Sequence, residues 1–310
     1  MINFKIKISD IIICFKSDSA KLSYPAAGCM LESDFGVFAY NGCRAADILL
    51  RIEYGLLAKP QRGKLIFDMD KNWRLFRHGN KILIEYFYRR SLRTIDRFIE
   101  FDDNLTRGVI TVNQEVAFIK KKSAEERGRY VINASKKDFL QHLIIWHLAG
   151  RYRGLLGHGA FIKDKGRGFL FIGKSESGKT TMARLYSIDQ DAEIYNDDRA
   201  IIRFNRKNAY FYNVPWHGDY FSGNSEFLSG DKIRIDKIFF ISHAKINIGR
   251  RISGIEAAYK IFHNAFLPFW DKEGLCNTLD VCKKLVKNVP CYKLGFVNKK
   301  SIVEYIRKMD

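Results

Sequence analysis

The chain has 310 residues, of which 46% are hydrophobic and 14% aromatic, enough for one large or two modest globular domains and unlike any disordered or collagen-like composition. Its 53 Lys and Arg against 34 Asp and Glu give a formal net charge of +19, which attracts anions without choosing among nucleotides, acidic proteins, nucleic acids and membrane headgroups. No apolar run is long enough to span a bilayer, the six cysteines form no C-x-x-C pair, and no secretory pattern follows Met1. These features predict a reduced, cytoplasmic protein.

The first part of the chain has the pattern of a β-rich fold. Segments 81–88, 97–101 and 108–113 are rich in β-branched and aromatic residues and are bounded by polar turns. No chemical motif occurs before about residue 150. We therefore predict a β-rich N-terminal subdomain over residues 1–134, with substrate binding as one role that is open to it.

The pattern changes to a helical period over 136–152 and then to alternating strands and helices. Strands are predicted at 160–163 and 169–172, a helix at 180–186, a hairpin that pairs 200–204 with 209–212, and a helix at 253–266. We predict an α/β (α+β) domain over residues 135–310.

A glycine-rich loop lies between the predicted strand 169–172 and the predicted helix 180–186. It satisfies G-x-x-x-x-G-K-[ST], which arises by chance in roughly one chain in a hundred of this length. Backbone N–H groups of such a loop surround phosphates, its lysine reaches the β- and γ-phosphates, and its hydroxyl supports Mg²⁺. The predicted ATP-binding residues are Gly173, Lys174, Ser175, Glu176, Ser177, Gly178, Lys179, Thr180 and Thr181.

Two adjacent carboxylates and one histidine complete the candidate site. Asp197 and Asp198 follow the loop lysine at a distance at which a carboxylate binds Mg²⁺ or accepts a proton from an incoming hydroxyl. His158 begins the predicted hairpin that leads into the loop, which places it near the end of the loop strand. Adjacent aspartates in a loop are also common turn formers, and a lone histidine in a turn is commonly unremarkable.

These three features, in this order, resemble the HPr kinase/phosphorylase family, which shares its fold with ATP-dependent phosphoenolpyruvate carboxykinase. The resemblance implies a P-loop domain with a mixed sheet over residues 135–310. The resemblance implies that Lys179 holds the phosphates, that Thr180 and Asp197 hold the metal, and that Asp198 is the base, supported by Asp197 and His158. Which aspartate is the base stays open, because neighbouring carboxylates titrate as a pair.

Two differences from the family's sequence pattern indicate one branch of that family. Thr180-Thr181 stands where the enzyme proper has Ser-Glu, and the segment 214–218 replaces its glycine- and arginine-rich signature. The chain therefore looks like the HPr-kinase-related proteins that act on peptides, including kinases of lasso-peptide precursors. The implied reaction transfers the γ-phosphoryl group of ATP, with Mg²⁺, to a serine or threonine hydroxyl of a peptide or small protein.

Three alternatives share the same nucleotide site. A small-molecule hydroxyl kinase would have a closed acceptor pocket, and a non-catalytic ATP sensor would bind ATP without transferring phosphate. A nucleic-acid-associated NTPase would show steeply salt-dependent binding to DNA or RNA, and only the net charge suggests it. We expect no nucleic-acid partner and no membrane span, and the sequence leaves self-association open.

Overall fold

A computed structural model describes residues 2–17, 37–55, 57, 61–70, 72–87, 94–113, 138–220 and 232–309. The chain forms two compact units, Met1–Leu143 and Ile144–Asp310. The division falls within helix α1 (Asp138–His147), whereas the boundary predicted at 134/135 lies outside the described residues. Both sheets are mixed, and with five α-helices in the described residues the fold class is α+β.

Unit Met1–Leu143 is built on one mixed sheet of eight strands, which run in the order β1-β2-β3-β8-β7-β6-β5-β4. Strands β2, β3 and β8 are parallel neighbours, and the other pairs are antiparallel. The β-rich prediction is thus confirmed for the described residues, although Tyr88 of the strand predicted at 81–88 lies outside them. The strands are β1 (Ile2–Ile8), β2 (Ile11–Ser17), β3 (Ile48–Gly55), β4 (Lys64–Asp68), β5 (Trp73–His78), β6 (Lys81–Phe87), β7 (Ile95–Asp102) and β8 (Arg107–Asn113).

Aromatic side chains join this sheet to the first part of α1. Phe139 stacks on Phe101, and His142 lies against the ring of Trp73, with centroids 4.5 Å apart. Nδ1 of His142 lies 2.8 Å from the hydroxyl of Tyr86. Burial lowers the pKa of His142 to about 4, because the imidazolium would lose its hydration there. This histidine is a packing residue.

Unit Ile144–Asp310 contains a ten-stranded sheet with the path β12-β10-β11-β15-β14-β13-β9-β17, and β18 pairs with both β15 and β16. Strands β11 and β18 run parallel to the long central β15, and the other pairs are antiparallel. The strands are β9 (Gly154–His158), β10 (Ala160–Asp164), β11 (Arg167–Ile172), β12 (Ala192–Asn196), β13 (Arg199–Asn205), β14 (Asn208–Tyr212), β15 (Ile233–His243), β16 (Ile248–Ile252), β17 (Ala265–Phe266) and β18 (Cys291–Phe296).

The helices of this unit follow a π-helical turn at Leu148–Tyr152, and they are α2 (Lys179–Ser187), α3 (Gly254–His263), α4 (Lys272–Asn288) and α5 (Ser301–Arg307). One core cluster contains Ala257 and Ile261 of α3 with Val281 and Leu285 of α4. Asp271 caps α4 by accepting a hydrogen bond from the Gly274 N–H. No helix in the described part of the chain is long and apolar enough to cross a membrane.

Most elements predicted for this unit are present. Strands β10 and β11, helix α2 and the hairpin of β13 and β14 occur at the expected places, with Ile202 paired to Phe211. The helix predicted at 253–266 is too long, because it ends at His263. The Asn264 amide donates to the Lys260 carbonyl and ends the helix, and Phe266 pairs with β9 instead.

Candidate functional site

The loop between β11 and α2 adopts a tight turn at the N-terminus of the helix. Glu176 and Gly178 have left-handed backbones, with φ of 64° and 97°, and the Ser177 N–H donates to the Lys174 carbonyl at 3.2 Å. A Cβ atom on Gly178 would lie 2.5 Å from the ring of Phe296, so this position requires glycine for both its angle and its contact. The loop therefore has the geometry in which backbone N–H groups and a helix dipole attract an anion.

Lys179 lies across this loop. Its Nζ donates to the carbonyls of Gly173 and Lys174 at 2.9 and 3.0 Å, and the residue is only 8% exposed. Burial lowers the pKa of Lys179, and the charge of Asp198 opposes that shift. Thr180 and Thr181 follow in the first turn of α2 and are half-buried. The residues present thus fit the phosphates of a nucleotide, with a cationic amine over the loop and hydroxyls beside it.

His158, Asp198 and Arg199 form a cluster near this lysine. His158 Nε2 lies 3.4 Å from Oδ1 of Asp198, and Arg199 binds Oδ2 of the same carboxylate, with its Nε at 2.6 Å. The Arg199 guanidinium also lies 4.7 Å from the centroid of the Phe266 ring. Burial and the charge of Lys179 lower the pKa of His158, and Asp198 opposes them. The imidazole is therefore neutral at pH 7 beside a partly exposed carboxylate.

Strand pairing brings these residues to the loop. Strands β10 and β11 form an antiparallel hairpin in which Ala160 pairs with Phe171, so His158 lies near the end of the loop strand. The Gly159 N–H donates to the Asp198 carbonyl at 2.9 Å. The structure thus brings His158 and Asp198 together, with Lys179 close enough for its charge to act on both.

Asp197 has different surroundings from its neighbour. It is 3% exposed, and its two oxygens accept hydrogen bonds from the N–H groups of Gly218 and Tyr220 at 2.8 and 2.9 Å. A Cβ on Gly218 would lie 2.6 Å from Oδ2 of Asp197. Burial raises the pKa of Asp197, and the backbone N–H groups oppose the shift. The carboxylate therefore anchors the segment 216–220, which includes His217.

Asn196 is a buried residue that was not among the predicted site residues. Its Oδ1 accepts from the N–H groups of Asp198 and Arg199 at 2.9 and 3.0 Å. Its Nδ2 donates to Oδ1 of Asn213 and to the Trp216 carbonyl, each at 2.9 Å. An asparagine directly before a polar turn is the signal that could have suggested this, because its side chain often bonds the backbone two residues on.

Metal ligands are sparse around the loop. Within the described ranges, no group of three or more His, Cys, Asp or Glu side chains is arranged to hold a metal ion.

Comparisons with known proteins found similarity to solved structures but none in sequence. No protein-family model matches the chain, and no curated protein matches it in sequence. Among solved structures, the Hpr(Ser) kinase/phosphatase from Coxiella burnetii is similar with a TM-score of 0.30 and 12% identity, over 49% of this chain and 93% of that chain. These values are too low to assign the chain to a family.

Proposed function

We propose that this protein is an ATP-dependent kinase that phosphorylates a serine or threonine hydroxyl of a peptide or small protein. The observation that carries the proposal is the proximity of Lys179, on a complete phosphate-binding loop, to the His158–Asp198 pair. A phosphate-binding cation beside a partly exposed carboxylate is what phosphoryl transfer to a hydroxyl requires. The cytoplasm, which supplies ATP, is its proposed compartment.

Each residue has a role that follows from its position. Lys179 and the loop N–H groups hold the phosphates, and Thr180 would hold Mg²⁺, which would neutralise phosphate charge there. Asp198 accepts the proton of the acceptor hydroxyl, whose oxygen forms the new bond to the γ-phosphorus as the bond to the β–γ bridging oxygen breaks and ADP leaves. His158 keeps Asp198 in place.

We propose Asp197 as a positioning residue, although a metal ligand is what the family resemblance implies. Both of its oxygens face backbone N–H groups, and the residue is almost fully buried. A hydrated cation reaches such a carboxylate less easily than it reaches Asp198, whose side chain is 21% exposed.

The exposure of the catalytic pair supports a peptide or protein acceptor over a small molecule. In the part of the chain that the structure describes, the side chains of His158 and Asp198 are 37% and 21% exposed. A hydroxyl on a macromolecule can approach such an open site, whereas a small-molecule kinase encloses its acceptor to exclude water. A short precursor peptide is the acceptor that we favour.

A second candidate function is ATP sensing without transfer. The ion pair of Arg199 with Asp198 favours it, because the guanidinium occupies one oxygen of the carboxylate that would accept the proton. The two candidates make the same prediction for ATP binding and opposite predictions for label transfer.

The test is transfer from γ-labelled ATP, with Mg²⁺, to separate pools of precursor-like peptides, HPr and free serine. We expect label in the peptide pool with the wild-type protein and none with Asp198→Asn or Lys179→Ala. Asp191→Asn is the matched control, because this aspartate lies in the same unit at 58% exposure and contacts Lys165 rather than the loop. ATP binding without labelling of any pool would favour the sensor, and labelling of free serine alone would favour a small-molecule kinase.

A further inference from the structure

A cavity of about 520 Å³ adjoins the phosphate-binding loop. Its walls come from the start of the loop, from the carboxyl-terminal ends of β15 and β18, and from the second half of α3. His158 lies at the junction of β9 and β10, and Asp198 lies at the junction of β12 and β13. The carbonyl of Asn264, which lines the cavity, accepts a hydrogen bond from the His158 N–H, so the cavity lies beside the catalytic pair as well as beside the loop.

The lining of the cavity combines an apolar floor with an aromatic pair. Phe240, Ile241 and Leu294 supply buried apolar surface. Tyr259 and His263, one turn apart on α3, stack with ring centroids 5.7 Å apart and an interplanar angle of 15°. Tyr259 is 63% exposed, so its ring is accessible to a ligand in the cavity.

Polar groups stand at the edges of this surface. Ser177 Oγ, on the loop side, is buried and has no hydrogen-bond partner among the residues that the structure describes. Lys260 lies over the Phe240 ring at 5.8 Å, and Lys293 pairs with Glu256. A ligand with one flat apolar face, hydroxyl groups and a negative charge nearest the loop matches this arrangement.

We propose that this cavity is the nucleoside subsite, in which a purine base stacks on Tyr259 and His263 and the ribose lies beside Ser177. The inference rests on the proposed function, because the phosphates must occupy the loop. In-line transfer directs the γ-phosphate toward the acceptor hydroxyl at Asp198, so the nucleoside requires a separate surface beside the loop. The cavity is such a surface, because its lining includes neither His158 nor Asp198, and its volume lies within the roughly 300–1,000 Å³ of small-molecule sites.

The test separates the nucleoside from the phosphates by titrating ATP and inorganic tripolyphosphate, each with Mg²⁺, in a calorimeter. We expect Tyr259→Ala to weaken ATP binding by about tenfold, the scale of one base–aromatic stacking contact, and to leave tripolyphosphate binding unchanged. Tyr259→Phe keeps the ring and is expected to retain wild-type affinity. Ile255→Ala is the matched control, because Ile255 lies one turn earlier on α3, is 90% exposed and does not line the cavity.

The two proposals fail in different ways. If neither ATP nor tripolyphosphate binds, or if Lys179→Ala weakens neither, the nucleotide site itself is refuted. If Lys179→Ala weakens both ligands but Tyr259→Ala and His263→Ala leave ATP affinity unchanged, the loop holds phosphates and the nucleoside lies elsewhere. Equal weakening of ATP and tripolyphosphate by Tyr259→Ala would also overturn the inference, because the ring would then act on the phosphates or on the fold.

Discussion

Replacing Asp197 with alanine tests whether this carboxylate supports the fold or the metal. The change removes two hydrogen bonds from backbone N–H groups to a charged acceptor, at 2.8 and 2.9 Å. Such bonds contribute about 1.5–3 kcal/mol each. Because burial already raises the pKa of Asp197, ionisation carries a cost and the lower end applies, which gives about 3 kcal/mol in total. For a unit of this size, that loss lowers Tm by about 6–12 °C.

Scanning calorimetry of Asp197→Ala, Asp197→Asn and Asp198→Ala measures the effect. Asp197→Asn keeps one carbonyl acceptor and is expected to lose about half as much stability. Asp198→Ala removes a partly exposed ion pair with Arg199, which contributes at most about 1 kcal/mol. If Asp197→Ala kept the wild-type Tm and lost only the Mg²⁺ dependence of ATP binding, Asp197 would be a metal ligand and the anchoring role would be refuted.

Three further predictions concern single residues. Gly178→Ala should abolish ATP binding, measured by calorimetry, because a left-handed φ of 97° and a contact 2.5 Å from Phe296 leave no room for a methyl group. If the two guanidinium contacts to Oδ2 hold the base Asp198 in position for transfer, Arg199→Lys should lower label transfer by about tenfold with unchanged ATP affinity, because an ammonium cannot make both contacts; a rate equal to that of the wild type would refute this positioning role. The pKa of His142 is about 4 when folded, below the usual 6.5, so the unfolded chain takes up its proton first as pH falls. The free energy of unfolding should therefore drop by about 2 kcal/mol between pH 7 and pH 5 in urea titrations, and by less in His142→Gln.

Local patterns were sufficient for the elements around the phosphate loop and insufficient for their neighbours. The motif Gly173–Thr180 and the apolar strand before it are contiguous in sequence, so the order of strand, loop and helix could be predicted. The pairing of β18 with β15 joins segments some fifty residues apart, and no local periodicity encodes such a register. Phe266 is another case that sequence periodicity could not resolve. Its position in the sequence fits the apolar face of α3, but its backbone pairs with β9. The residues that line the proposed nucleoside cavity come from four separate segments, and no sequence motif marks them.

Asn196 explains why Asp197 and Asp198, although adjacent in sequence, have different surroundings. Successive side chains of an extended strand point to opposite faces, and β12 ends at this residue. Oδ1 of Asn196 then accepts hydrogen bonds from the N–H groups of Asp198 and Arg199. These bonds fix the backbone turn in which the Asp198 carboxylate faces Lys179 and His158. The side-chain Nδ2 of Asn196 donates to Oδ1 of Asn213 and to the carbonyl of Trp216. Trp216 is the first residue of the segment 216–220 that Asp197 anchors. One buried amide therefore couples the proposed base to the segment 216–220, so an acceptor bound against that segment would also fix the position of Asp198.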